Sequence, residues 1–259
     1  MLFSELEEIL EDLSRNKQRL TVSRHAYNIL LQDDEIFEPD KKQNRAGGDP
    51  SSTLVNQLFQ NLYETAESSI WMRLGAEKEK LAERFKGQEN AEACTGAVLA
   101  LLQEQLEEKA RCRQQDKGCS FFVRLSKPVL EALASDEVRK DAAFYGDKVG
   151  SYLKALLEEY CALPYAERER IYYKQQLQSI ELAITRQEKL KLTLSSRKKL
   201  TGGAAAPNNI TYLKPLCVQK DTEQLYNYLV GMTSAQPGGP WGMGCVRLSS
   251  IKKISSLKC

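Results

Sequence analysis

Cations and aromatic rings interleave through the last 74 residues of this 259-residue chain in a way suited to an unpaired nucleic-acid strand. Lys189, Lys191, Arg197, Lys198, Lys199, Lys214, Lys220, Arg247, Lys252 and Lys253 offer charge to follow phosphates. Tyr212, Tyr226, Tyr228 and Trp241 offer ring faces on which bases can stack. Residues 186–259 hold twelve Lys and Arg against three acids, a net +9, whereas the first 185 hold 25 against 32, a net −7. A basic module on an acidic body implies a polyanionic partner, and nucleic acid is the first candidate.

The residues most suited to RNA contact are Arg197, Lys198, Lys199, Tyr212, Lys214, Tyr228, Trp241 and Arg247. Each has a plainer alternative. Tyr226 and Tyr228 in LYNYL lie on one face of a strand, so both pack inward as core or both are presented together. Trp241, in the loop QPGGPWGMG, either clamps a base or pins the loop. The run at 197–199 is a solvated loop or a phosphate contact, and its place on the basic module favours the second.

Other chemistries are poorly supplied. The seven cysteines include no Cys-x-x-Cys pair, as suits a reducing compartment, and Cys112 and Cys119 flank a polar turn without a further ligand. The single histidine, His25, cannot build a His-based metal cluster and has no nucleophile beside it, so a surface or capping role is expected. With no phosphate loop and no nucleophile motif, the expectation is a protein without catalytic, metal or cofactor sites. The acidic, amphipathic start MLFSELEEILEDL is unlike a signal peptide, and no apolar run approaches the roughly 20 residues of a membrane span, which suggests a cytoplasmic protein without membrane partners.

The elements that must position these residues are of two kinds, giving an α+β chain. The acidic body contains two similar segments, LTVSRHAYNILLQDD at 20–34 and VRLSKPVLEALASDE at 123–137. Each runs from an alternating strand through a Ser, as helix N-cap, into a helical pattern; Pro128 sits in a first turn, where its missing N–H costs nothing. Val55, Leu58, Phe59, Leu62 and Tyr63 then match Val149, Tyr152, Leu153, Leu156 and Leu157. The offset is 103 before the gap and 94 after it, which places nine extra residues in the polar stretch PDKKQNRAGGDPSS of the first copy.

A strand followed by two helices resembles the ribbon-helix-helix unit, whose paired strands present outward residues that can enter a DNA groove. Alternation puts Leu20, Val22, Phe121, Val123 and Leu125 inward, and Lys17, Arg19, Thr21, Phe122, Arg124 and Ser126 outward. Lys17, Arg19, Thr21 and Arg124 are the candidate DNA contacts. With so few cations the ribbon serves as an assembly device or as a DNA reader, its copies pairing either with each other or across a dimer.

Between the copies, 53–113 reads as helix broken near KGQEN, with an apolar face at Val98, Leu101, Leu102 and Leu106 expected to be core. In ALPYAERERIYYKQQLQSIELAITRQ, Glu167, Arg168, Glu169 and Arg170 alternate in sign as a solvated face would. Four strand candidates follow: KLKLTLS, ITYLKPLCV, LYNYLVGMT and CVRLSSI. The expected organisation is a ribbon-helix-helix-like unit with an extended helix at 1–86, a helical segment with the second unit and a connecting helix at 87–185, and a small, partly open barrel at 186–259.

ITYLKPLCVQKDTEQLYNYLVG followed by VRLSSIKKI resembles a WYL domain, an SH3-like (Sm-like) barrel of bacterial regulators. Pro215, Asp221, Tyr228, Leu229, Arg247 and Ile251 agree with that pattern in order. Asn227 stands at its Trp, and Ser249 and Ser250 stand at the Asp and second Arg of its Arg-Leu-Asp-Arg-Ile stretch. Together with FFVRLSKPVLEAL and LKALLEEYCALPYAERERIYY, the chain resembles the WYL accessory proteins of type VI-D CRISPR systems. That resemblance implies a homodimer that binds single-stranded RNA and raises the activity of an RNA-guided RNase. The alternative is a ribbon-helix-helix transcriptional regulator that reads DNA and senses a ligand through its WYL domain.

Overall fold

The computed structural model describes residues 1–37, 48–63, 70–115, 118–195, 210–221, 223 and 225–257. Contacts divide the chain into two compact units, Met1–Ala162 and Leu163–Cys259. The connecting helices that end the expected 87–185 segment therefore fold with the strands, and the second unit begins well before residue 186.

In the first unit the elements run α1 (Leu6–Glu11), β1 (Lys17–Val22), α2 (Arg24–Phe37), α3 (Ser52–Leu62), α4 (Ile70–Arg84), α5 (Ala91–Gln115), β2 (Cys119–Arg124), α6 (Lys127–Leu133), α7 (Asp136–Ala142) and α8 (Val149–Cys161). The two copies are β1-α2-α3 and β2-α6-α8, with α7 interposed in the second. Ser23 caps α2, its hydroxyl accepting from the Ala26 N–H at 3.1 Å. Ser126 starts α6 without a side-chain capping bond, and its own N–H donates to Asn56 Oδ1 at 2.9 Å. Of the polar stretch at 39–52 expected to hold the insertion in the first copy, residues 39–47 lie outside the described residues.

β1 and β2 pair antiparallel, so the two copies pair with each other inside one chain. Leu20, Val22, Phe121 and Val123 are buried on the helix side. Arg19 lies directly opposite Phe122, and the repeat offset of 103 makes these two residues equivalent. A pseudo-twofold axis therefore passes through the Arg19–Phe122 pair. The core beneath it is built from both copies. Tyr152 of α8 sits at its centre, edge-on to Phe3, Phe59 and Tyr145 at centroid distances of 5.9, 6.4 and 5.3 Å. Burial pushes the Tyr152 phenol far above its usual pKa.

The apolar face of α5 departs from expectation, because Leu101 is 61% and Val98 40% exposed rather than core. The helix packs along α4 and forms with it a groove lined by Ala76, Leu81, Val98, Leu101, Leu102 and Leu106. An amphipathic period shows that a helix has an apolar stripe. It does not show that the same chain supplies the cover.

The second unit contains α9 (Tyr165–Tyr172), α10 (Lys174–Thr185), β3 (Lys189–Leu194), β4 (Ile210–Lys220), β5 (Asn227–Ser234), β6 (Gly242–Arg247) and β7 (Ile251–Leu257). The strands form one antiparallel sheet in the order β6-β5-β4-β3-β7. Among the described residues β6 and β7 are its two edges, so the sheet is not a closed barrel. β7 was not among the strand candidates; it follows β6 after a 3-10 turn at Leu248–Ser250. Leu190, Leu192, Leu213, Leu229, Val246 and Ile251 are buried on the sheet, and Leu177, Ile180 and Ala183 are buried on α10. Each buried Leu or Ile contributes about 1.5–3 kcal/mol. Gly231 permits the close approach of β4, since a Cβ there would lie 2.1 Å from the Lys214 carbonyl oxygen.

Candidate nucleic-acid interface

Residues directly opposite in an antiparallel ladder share a face. Lys191 opposes Tyr212, Lys214 opposes Met232 which opposes Met243, and Tyr228 opposes Arg247. The buried Leu190, Leu213 and Leu229 belong to the other face. Tyr212, Lys214, Tyr228 and Arg247 are thus gathered on one outward face of the sheet. A bulge at Leu216 keeps this register beyond the middle of β4, because Cys217 pairs with Val230 after Pro215 pairs with Gly231.

Trp241 joins the same face. The Lys214 Nζ lies 4.6 Å from its ring centroid, a cation–π contact that brings two of the predicted residues together. Arg197, Lys198 and Lys199 lie in the 196–209 segment, outside the described residues. Lys220 is engaged in an ion pair with Glu167.

Arg247 is a held cation rather than a free one. Its guanidinium carbon lies 3.7 Å from the Tyr226 ring centroid, Nη2 donates to the Tyr165 hydroxyl at 3.2 Å, and Nε is 4.0 Å from Glu169 Oε1. Burial, then the Glu169 carboxylate, push the Tyr165 phenol up to about 12, against the opposing pull of Arg247. Tyr226 lies edge-on to Tyr165 at 5.4 Å.

Beneath this stack Glu169 is 0% exposed and Arg168 is buried too, so the sign-alternating run is not a solvated face. Glu169 accepts from the Asn227 backbone N–H at 2.9 Å, from Asn227 Nδ2 at 2.8 Å and from the Ser249 N–H at 3.1 Å. Asn227 Nδ2 also donates to the Ala166 carbonyl at 2.8 Å. Sequence reasoning missed Glu169 and Tyr165. The one available signal was an amide at Asn227, a strand position where the WYL pattern has an aromatic ring.

In the first unit the outer ribbon face presents Lys17, Arg19, Thr21, Phe122 and Arg124, as alternation predicted, together with Ser120 opposite Thr21. The Thr21 and Ser120 hydroxyls are 2.8 Å apart, and Arg19 Nη2 donates to the Ser120 oxygen at 3.2 Å. Phe122 is 54% exposed, with the Lys17 Nζ 4.4 Å from its ring centroid. His25 is exposed in the first turn of α2. No helix among the described residues is long and apolar enough to cross a membrane.

The chain is similar in fold to a solved structure. It is the crystal structure of a CRISPR Cas-related protein, with a TM-score of 0.67 at 18% identity over 94% of the present chain. The present chain spans 64% of the length of that one. At this identity the likeness establishes a shared arrangement of elements. No protein-family model and no curated protein matches the chain.

Proposed function

We propose that this protein is a non-catalytic accessory protein that binds single-stranded RNA and raises the activity of a type VI-D CRISPR RNA-guided RNase, working as a cytoplasmic homodimer without a cofactor. The observation that carries the reading is the convergence of Tyr212, Lys214, Tyr228 and Arg247 on one outward sheet face, with Trp241 against Lys214. Rings and cations on one surface suit unpaired bases and phosphates together. The fold shared with a CRISPR Cas-related protein supplies the context for the RNase partner. Because the ribbon is complete within one chain, the homodimer must use another surface.

A second reading is favoured by a different observation. Lys17, Arg19, Thr21 and Arg124 point outward from a correctly paired ribbon, as in a DNA-reading regulator with a WYL-type sensor. Fluorescence anisotropy against single-stranded RNA and duplex DNA separates the two, followed by RNase assays with and without the protein. The first reading expects tight RNA binding that Lys214→Ala with Tyr228→Ala weakens about tenfold or more, together with a faster RNase. Sequence-selective duplex binding that survives those changes and fails with Arg19→Ala would replace it with the second.

A further inference from the structure

A cleft of 350 Å³ opens where the start of α8 meets β1 in the first unit. Gln18 and Arg19 line it from the strand, and Lys148, Gly150, Ser151 and Lys154 line it from the helix side. Among the described residues no carboxylate lines it. Lys154 is only 6% exposed, and among the described residues it has neither an ion pair nor a hydrogen bond. Glu158, one turn further along α8, is already engaged by the Ser23 N–H at 2.5 Å and the Ser23 hydroxyl at 2.8 Å. Asp147, just before the helix, accepts from the Ser4 hydroxyl at 2.9 Å. A lysine held this deeply, with its ammonium in a cleft lined by other cations, is open to an anion from outside the chain.

Three further features point the same way. α8 is 13 residues long and begins at the cleft, which places the positive end of its dipole there. Arg19 and Lys148 add cations at the mouth. Gly150 lets the helix start sit against the strand, since a Cβ would lie 2.8 Å from Gln18 Nε2 and 3.4 Å from the Arg19 carbonyl oxygen. The geometry points to a binding site for a phosphate-type oxyanion, with Lys154 as its inner cation and Arg19 and Lys148 as outer cations. This site lies in the acidic unit and does not depend on the RNA reading of the basic sheet. The oxyanion is either a phosphate group of a nucleic-acid strand or a free small phosphate.

The test uses the full chain carrying 13Cε-labelled lysine, with the Lys154 signal assigned through Lys154→Arg and Lys154→Met. Inorganic phosphate is titrated against chloride at constant ionic strength, then 5′-phosphorylated and unphosphorylated RNA oligomers are added in separate arms. A saturable shift of the Lys154 signal is expected, and Lys154→Met weakens phosphate binding about tenfold or more in 31P line broadening. A shift with phosphate alone identifies a free phosphate, whereas a shift with RNA that phosphate competes away identifies a strand phosphate. A Lys154 signal unmoved in every arm overturns the site, and this readout on the unsubstituted chain stands even if Lys154→Met does not fold. RNA anisotropy with Lys214→Ala and Tyr228→Ala reports separately on the sheet face, so the two ideas fail independently.

Discussion

Asn227 and Glu169 set the residue-scale logic of the second unit. A buried carboxylate persists only if its lone pairs are met, and here two N–H donors from Asn227 and one from Ser249 meet them. The same carboxylate sits beside Arg247, whose guanidinium rests on Tyr226, so one buried acid orients a cation and two rings. Asn227→Ala should therefore destabilise the second unit by about 1–3 kcal/mol in urea unfolding, by removing one donor from Glu169. Asn227→Asp should cost more at neutral pH, because two buried carboxylates then face one another. Their repulsion raises a folded-state pKa, so lowering the pH through it should restore part of the lost stability; a deficit independent of pH would rule out the contact. None of this was legible locally. The donors to Glu169 lie 58 and 80 residues along the chain, while the alternating charges around it have the pattern of a wet helix.

At the scale of elements, the repeat was the most legible feature, and it carries geometric content. An offset of 103 maps Arg19 onto Phe122, and the ladder pairs those same residues, so a pseudo-twofold axis relates the two copies inside one chain. The sequence left open whether the strands pair within or between chains because both arrangements bury the same Leu20, Val22, Phe121 and Val123. A crosslink tests it. The Leu125 N–H donates to the Asn16 carbonyl, so bonded pairs fall at alternate positions and Thr21 with Ser120 is a non-bonded, closely spaced pair. Thr21→Cys with Ser120→Cys should oxidise to an intramolecular disulfide that migrates as a monomer on a non-reducing gel, since such pairs match disulfide spacing. A covalent dimer would mean that the ribbon is exchanged between chains. Less legible were β7, whose IKKISSL alternates weakly, and the open edges of the sheet, since strand periodicity says nothing about closure.

At the scale of the whole molecule, the charge split decides how an RNA complex must behave. The acidic body repels a polyanion at long range while the last 74 residues attract it, so binding should depend on a few cations of the basic module. For a single strand, log K falls with log salt by about 0.7 per phosphate neutralised. Replacing Lys214 with Ala should flatten that slope by about 0.7, and replacing Arg197, Lys198 and Lys199 together should flatten it by up to about 2. Arg247 should behave differently, although it lies on the same face. Its charge is already matched by Glu169 and its plane by Tyr226, so Arg247→Ala should leave the salt slope nearly unchanged while lowering the stability of the second unit. Anisotropy titrations across a salt series measure both numbers on the same samples. A slope that falls with Arg247→Ala as much as with Lys214→Ala would make Arg247 a direct phosphate contact. A slope indifferent to all of them, but reduced by changes at Lys17, Arg19 or Arg124, would move the nucleic-acid surface to the ribbon.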